Sequence, residues 1–428
     1  MTALATAATG RRRLASPVLS AVYVVVAALF VSRVAVGELL LNQFMSYSTD
    51  GGSMLEKVHP SFYGFMAVSA FTLVAFRVEL NAWETRVVRA ILLLSGCCLS
   101  MLVFAGLRGN AGSAGFLIDS YVMTCFAALM FLFPPAMRAG IGKALLAFFL
   151  VSAAVGVVEF ATKTRLLPFT EGEPTFRPIG LSSHPLTFGL WCAVCIPLTA
   201  ATDWTRRTKV MMCSAFYLAL AASGARTALL GGSVCVFLLA VAAIRPNVVP
   251  QRRFQRRVVV VLAAALAVPL IAAVLYAAGA LDRFQGGLAD KNAEARVVIY
   301  QVFSTLSWTD FLFGPGMPAV THYATAKLHL VAVESVIVVF VAIFGALWSA
   351  IFALVLAYLQ WVTLRGASAA LVMAVALCFF IGSSNNGLAS REPPMLIMTV
   401  FTLAFRPPPR QKGPSPRARI DGRRPRVA

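Results

Sequence analysis

The chain has 428 residues, 59% of them hydrophobic and 13% charged, with a formal net charge of +20 and a mean hydropathy of +0.80. A soluble globule is normally about 45–50% apolar, so this composition excludes a single soluble domain and points to a polytopic membrane protein. The charge reads as loop arginine and lysine held on one side of a bilayer, and not as a nucleic-acid surface.

Apolar runs close to the roughly 20 residues that cross a bilayer are expected near 16–36, 59–76, 88–107, 115–133, 141–160, 185–202, 208–222, 226–244, 257–279, 333–360, 367–386 and 394–405. The expected fold is therefore all-α, an integral membrane protein of about twelve transmembrane helices over residues 1–405. The first run follows Arg11, Arg12 and Arg13 and lacks a convincing cleavage site, so it reads as an uncleaved span with a cytoplasmic N-terminus. With that orientation the cations assigned to cytoplasmic loops outnumber those assigned outside by more than two to one, with Arg33 inside a span. Both termini are then expected in the cytoplasm. The tail at 406–428, Pro-rich and basic, has almost nothing to bury and is expected to be disordered against anionic headgroups.

Two outer segments stand apart from the short hairpins. The first runs from Ala161 to His184 and ends in "FRPIGLSSH", the opening of "FRPIGLSSHPLTFG". The second is a large outer loop at 280–330, before the third-last span, and a loop of that length is uncommon unless it is functional. Its apolar residues Val298, Val302 and Leu306, with Ile299 and Phe303 beside them, follow the period of an amphipathic helix lying on the membrane surface. Asp290 or Asn292 would cap that helix, Glu294 suits its first turn, and "LFGPGMP" would end it.

The outer cations run against the positive-inside bias, so each needs a local reason: Lys57, Arg108, Lys163, Arg165, Arg177, Arg226, Arg283, Lys291, Arg296, Lys327 and Arg391. Arg226 sits in "SGARTALLGG", where a short turn joins two apolar runs, so its guanidinium must snorkel or face a polar cavity. A guanidinium is also the preferred fork for phosphate oxygens. Of the four histidines, His59 and His322 read as solvated loop residues. His184 and His329 each abut an apolar span, where a histidine can act as general base or orient a sugar hydroxyl. None of the four falls in a metal-ligand pattern, and the chain has no phosphate-binding glycine loop, no G-x-S-x-G and no H-E-x-x-H. The eight cysteines all lie in apolar runs and read as small buried hydrophobes, the C-x-x-C of Cys192 and Cys195 included.

Four segments in order resemble the O-antigen ligase and polysaccharide polymerase superfamily of bacterial inner-membrane proteins. "RPIGLSSHPLTFG" is similar to its R-x-x-G-x-x-x-x-P segment, and "SGARTALL" to its S-x-S-R-x-x-x-L segment. "ARVVIYQVFSTLSWTDFLFGPGM" is similar to the R-rich helix and glycine break of the large loop, and "VESVIVVFVAIFGALW" to the segment that returns to the membrane. The resemblance implies transfer of a glycan from undecaprenyl diphosphate to a sugar acceptor on the periplasmic face, with no nucleotide sugar, no obligatory metal and no other cofactor. Arg177, Arg226 and Arg296 match the family's outer-face arginines and would stabilise the departing diphosphate. His329 matches the functional histidine of the ligases, with His184 as rival base and Glu334 opening the returning segment. The run "HLVAVESVIVVFVAIFG" has no Asn or Ser directly after the histidine, and its Gly345 comes late after Glu334, which favours a polymerase with a lipid-linked acceptor over a ligase acting on lipid A-core. Chain-length regulator and flippase proteins are further expected partners. A transporter is the competing class, since twelve spans with both ends inside is also a carrier plan; the short "DWTRRTK" after the sixth span and the lack of an internal repeat weigh against it.

Overall fold

The structure is a computed structural model that describes residues 17–49, 53, 55–169, 176–242, 255, 258, 259, 276 and 291–407. Arg11 to Arg13, nearly all of the ninth expected span at 257–279, the beginning of the large loop with Arg283 and Asp290, and the tail beyond 407 lie outside the described residues. Among the described residues all regular structure is helical.

The longer helices are α1 (Pro17–Ala35), α2 (Pro60–Ala75), α3 (Ala82–Leu107), α4 (Pro135–Thr162), α5 (Pro185–Ala201), α6 (Arg206–Ala222) and α7 (Arg226–Ala242), then α8 (Lys291–Val298), α9 (Trp308–Phe313), α10 (Met317–Ala326), α11 (Val336–Leu364), α12 (Ala369–Ser383) and α13 (Pro394–Phe405). Their starts follow local chemistry. Asn81 and Glu84 close a reciprocal capping box at α3. Thr205, Ser335 and Ser368 accept backbone N–H groups at the starts of α6, α11 and α12.

Five stretches among the described residues are long and apolar enough to cross a membrane: α1, α3, the run Ala111–Leu132, α4 and α11. In α1, α3 and α4 only 33–39% of the apolar window is buried. The remainder, including Val24, Leu92 and Val158, faces outward. An apolar surface of that extent belongs in lipid, and the chain is a multi-pass membrane protein. Other apolar helices are shorter. The 12 residues of α13 rise only about 18 Å against a hydrocarbon thickness of about 30 Å. Every residue of α13 is buried, as is nearly all of α5 from Phe188 to Thr199. A helix apolar on all sides is a core helix: α5 packs on α6, α7 and α12, and α13 on α4 and the 3-10 helix Val122–Leu132.

Two local departures from the expected pattern have physical causes. The large-loop helix is not continuous: α8 gives way to a 3-10 helix over Ile299–Thr305, whose three-residue period buries Ile299 and Val302. The long helix α11 is broken at Gly345, where φ is 75° and ψ 166°. An added Cβ there would lie 2.1 Å from the carbonyl oxygen of Leu312, so only glycine lets the "LFGPG" segment cross the helix. The Gly316 N–H donates to the Ala342 carbonyl at 2.9 Å, satisfying a backbone group at the break.

The polar contacts sort into two ends of the bundle. At one, Arg138 pairs with Glu84 at 2.8 Å, Lys143 with Asp203 at 2.7 Å, and the Arg406 guanidinium lies 3.6 Å over the Trp83 ring. At the other lie Lys57, Arg108, Arg177 and Arg391, each donating to a backbone carbonyl of another segment of that end. Each group is drawn from residues that charge patterning expects on one side.

Candidate functional site

The segment 177–184 is built by α4. Glu159 is 2% exposed, and its carboxylate accepts N–H groups from Leu166 at 2.9 Å and from Ile179 and Gly180 at 2.8 Å each. Two turns earlier, Ser152 Oγ accepts the Leu181 N–H at 3.0 Å. The backbone is thus pinned on both sides of Gly180, and the Arg177 side chain, 4% exposed, is turned inward. Its Nε donates to the Ser223 carbonyl at 3.1 Å.

Ser223 opens the turn that leads through Gly224 and Ala225 to Arg226 at the start of α7. Gly224 has φ +63°, and the Arg177 side chain lies against it. Gly189 of α5 holds the same turn from the other side: a Cβ there would lie 2.6 Å from Ala225 Cβ and 2.9 Å from Ser223 Oγ. The two ends of "RPIGLSSHPLTFG" therefore grip the turn that carries Arg226, and two arginines predicted from separate motifs belong to one packed unit.

His184 caps α5, its Nδ1 accepting the Leu186 N–H at 3.0 Å, with Pro185 at the first helical position. With Nδ1 accepting, the neutral ring carries its proton on Nε2 and is a hydrogen-bond donor there. The ring meets Phe169 edge-on at 5.6 Å. Neighbouring cations are organised by aromatics. The Arg165 guanidinium lies 4.6 Å over Phe169 and 5.0 Å over Phe176 while its Nε donates to the Arg177 carbonyl at 3.1 Å, and Lys163 sits 3.8 Å over Phe160.

The large-loop residues form a second group. Arg296 is ion-paired with Glu334. Tyr300 OH accepts a hydrogen bond from Ser335 Oγ at 3.1 Å. His329 is exposed on left-handed backbone, φ 55°, in the connection from α10 to α11. No hydrogen bond or ion pair joins Arg296, His329 or Glu334 to Arg177, His184 or Arg226 in the described contacts.

A buried polar knot adjoins the first group. Asp119, 0% exposed inside the third crossing stretch, accepts from Tyr47 OH at 2.8 Å and from the His59 N–H at 3.1 Å, and lies 3.6 Å from Arg391 Nη1. Arg33 Nη2 donates to the carbonyls of Arg391 at 2.6 Å and Asp119 at 3.3 Å. Burial, and then the Asp119 carboxylate, push the Tyr47 hydroxyl well above the ordinary phenol range. His59, expected in solvent, is instead 2% exposed: its Nδ1 caps α2 and its Nε2 meets the Val36 carbonyl at 2.8 Å. Glu392 accepts a short hydrogen bond from Ser183 Oγ, linking this knot to the segment before His184.

No family model, no curated protein and no solved structure matches the chain.

Several of the cations expected outside are clips. Arg108 donates to the Gly314 carbonyl at 2.9 Å and Lys57 to the Ser46 carbonyl at 2.7 Å, while Arg391 donates to the Lys57 carbonyl and is ion-paired with Asp119 at 3.6 Å. Asp119, Glu159 and Glu392 were not singled out from the sequence. A lone acid within an apolar run was the signal for the first; the other two stand at span ends, where composition makes an acid ordinary. Among the described residues no three His, Cys, Asp or Glu side chains form a metal set, and the described cysteines are all unpaired thiols.

Proposed function

We propose that the chain is a polysaccharide polymerase of a bacterial inner membrane, with about twelve spans, both termini in the cytoplasm and its active face periplasmic. It transfers a glycan from undecaprenyl diphosphate to a lipid-linked sugar. The observation that carries this reading is the packing of the buried Arg177 on the turn that presents Arg226. One guanidinium held by a backbone carbonyl, packed on the turn that carries a second arginine, suits a leaving group whose negative charge grows as the sugar departs. His184, with its proton on Nε2, orients the acceptor sugar as a donor, and Arg296 with Glu334 guards the donor from the large-loop side.

The break at Gly345 favours a second reading, since interrupted helices are common at the binding sites of carriers. One experiment separates the two. The purified chain in proteoliposomes, supplied with the lipid-diphosphate-linked repeat unit isolated from cells lacking it, should yield longer glycans and free lipid diphosphate. Movement of that substrate across the bilayer without elongation would establish the carrier and end the polymerase reading.

A further inference from the structure

The outer connection between α12 and α13 carries the sequence "SREPP" and is held from several sides. Ser120 Oγ donates to the carbonyls of Ser390 and Glu392, the latter at 2.7 Å. Arg33 holds the Arg391 carbonyl, and Arg391 is tied to Asp119 and to the Lys57 carbonyl. From this fixed backbone the Glu392 carboxyl reaches across to Ser183, next to His184 and six residues after Arg177.

Several described carboxylates of this end are already engaged. Glu159 accepts three backbone N–H groups and shapes the loop. Asp119 is fully buried among Tyr47, His59 and Arg391. Glu334 is paired with Arg296, and Glu56 accepts from Ser53 and Ser46 at the surface. Glu392 is half-buried and has a hydroxyl as its side-chain hydrogen-bond partner. His184 Nδ1 is occupied as the acceptor of the Leu186 N–H.

We propose that Glu392 is a catalytic residue of the glycan transfer argued above, a reading on which this inference rests. Its carboxylate takes the proton of the attacking sugar hydroxyl as the new C–O bond forms at the anomeric carbon. The anomeric C–O bond to diphosphate breaks, and its electron pair leaves with the lipid diphosphate. Ser183, donating to the carboxylate, aims it at the acceptor and favours its ionised form. The charged and titratable groups around Glu392 are Arg33 from α1, Glu38 from the short helix Glu38–Leu41, its neighbour Arg391 with Asp119, and His184 beside Ser183. Burial raises the Glu392 carboxyl above the ordinary range, Ser183 and Arg33 draw it back, and Glu38 adds to the rise. A base of raised basicity is what deprotonation of a sugar hydroxyl requires.

The test uses the full chain in proteoliposomes with the lipid-linked repeat unit described above, following release of lipid diphosphate against pH. Glu392→Gln should lower kcat by about 100-fold or more, with KM and the thermal midpoint near wild type, while Glu392→Asp retains part of the rate. Ser183→Ala should move the acid limb of kcat to higher pH, because the lost hydrogen bond had favoured the carboxylate. A merely structural contact would not move that limb. If Glu392→Gln fails to accumulate, the Ser183→Ala limb decides: a shift supports the assignment and an unmoved limb overturns it. An active wild type with near-normal kcat in Glu392→Gln removes Glu392 and leaves the polymerase standing, whereas a wild type that releases no lipid diphosphate removes both.

Discussion

Arg296 and Glu334, 38 residues apart in sequence, are joined through a single carboxylate oxygen: Nε and Nη2 of the arginine donate to Oε2 at 3.1 and 3.0 Å. The pair closes the large loop onto the start of α11. Both side chains are partly exposed, at 29% and 45%, so the pair adds under about 1 kcal/mol to stability. Glu334→Gln and Arg296→Lys should therefore each leave the thermal midpoint within a few degrees. In the transfer assay the two should not add, since Glu334 is needed to hold the fork of Arg296. A double-mutant cycle on kcat/KM checks this; strict additivity would show the two acting separately.

Gly189→Ala tests the grip on the arginine turn. The new methyl would meet Ala225 Cβ at 2.6 Å and Ser223 Oγ at 2.9 Å, so α5 or the turn must shift. Overpacking of this kind costs about 1–3 kcal/mol, and displacement of the Arg226 turn should cut transfer more than stability. Gly96→Ala, on α3 with open space around it, is the matched control and should be silent in both. The measurements are thermal unfolding in detergent and lipid diphosphate release.

Asp119→Asn should be among the most damaging single changes. It leaves the buried Arg33 and the part-buried Arg391 without the carboxylate, and removing one partner of a buried ionic set costs about 3–5 kcal/mol. Combining it with Arg391→Gln should recover part of that loss, because the double variant no longer buries that uncompensated charge. The folded yield by size exclusion and the thermal midpoint report the result, and a double variant no better than the single would deny the coupling.

His59 makes stability depend on pH. Burial foremost, then Arg33, lower its pKa from the ordinary 6.5 to about 3, against a smaller opposing effect of the Val36 carbonyl. The folded chain keeps the ring neutral while the unfolded chain protonates it below 6.5. The contribution is therefore complete above pH 6.5 and is lost as pH falls toward 3, at up to about 1.4 kcal/mol per unit. His59→Asn, which keeps a capping side chain, should flatten the acid side of a stability profile measured in detergent between pH 6.5 and 4. An unchanged slope would assign the acid sensitivity to other groups.

Much of the helical frame is legible in the sequence because lipid imposes one strong rule, apolar runs bounded by charge or Pro and Gly. The starts at Pro17, Pro60, Pro185 and Pro394 lie within a residue or so of the expected ones. Arg177 and Arg226 stand out for a related reason, as cations on the side where cations are scarce. What the sequence conceals is pairing. Nothing local in "SREPP" announces that Arg391 meets Asp119 or that Glu392 meets Ser183, because those contacts depend on which helix ends are neighbours. His59 is misread for the same reason: its burial comes from Val36 and Asp119, both remote in sequence. The break in α11 is equally silent, since Gly345 in an apolar run also fits an ordinary helix until the chain at Leu312 lies against it.

The bond from Arg33 to the Arg391 carbonyl spans 358 residues, and it sets an order of events during synthesis. At the usual elongation rates of about 5–20 residues per second, α1 is made on the order of half a minute before its partner leaves the ribosome. Through that interval the guanidinium sits in a newly inserted helix with water or headgroups in place of Arg391. The first span therefore takes its final seat only when the connection between α12 and α13 arrives, and a chain truncated before Ser390 would hold an inserted but unlocked first helix.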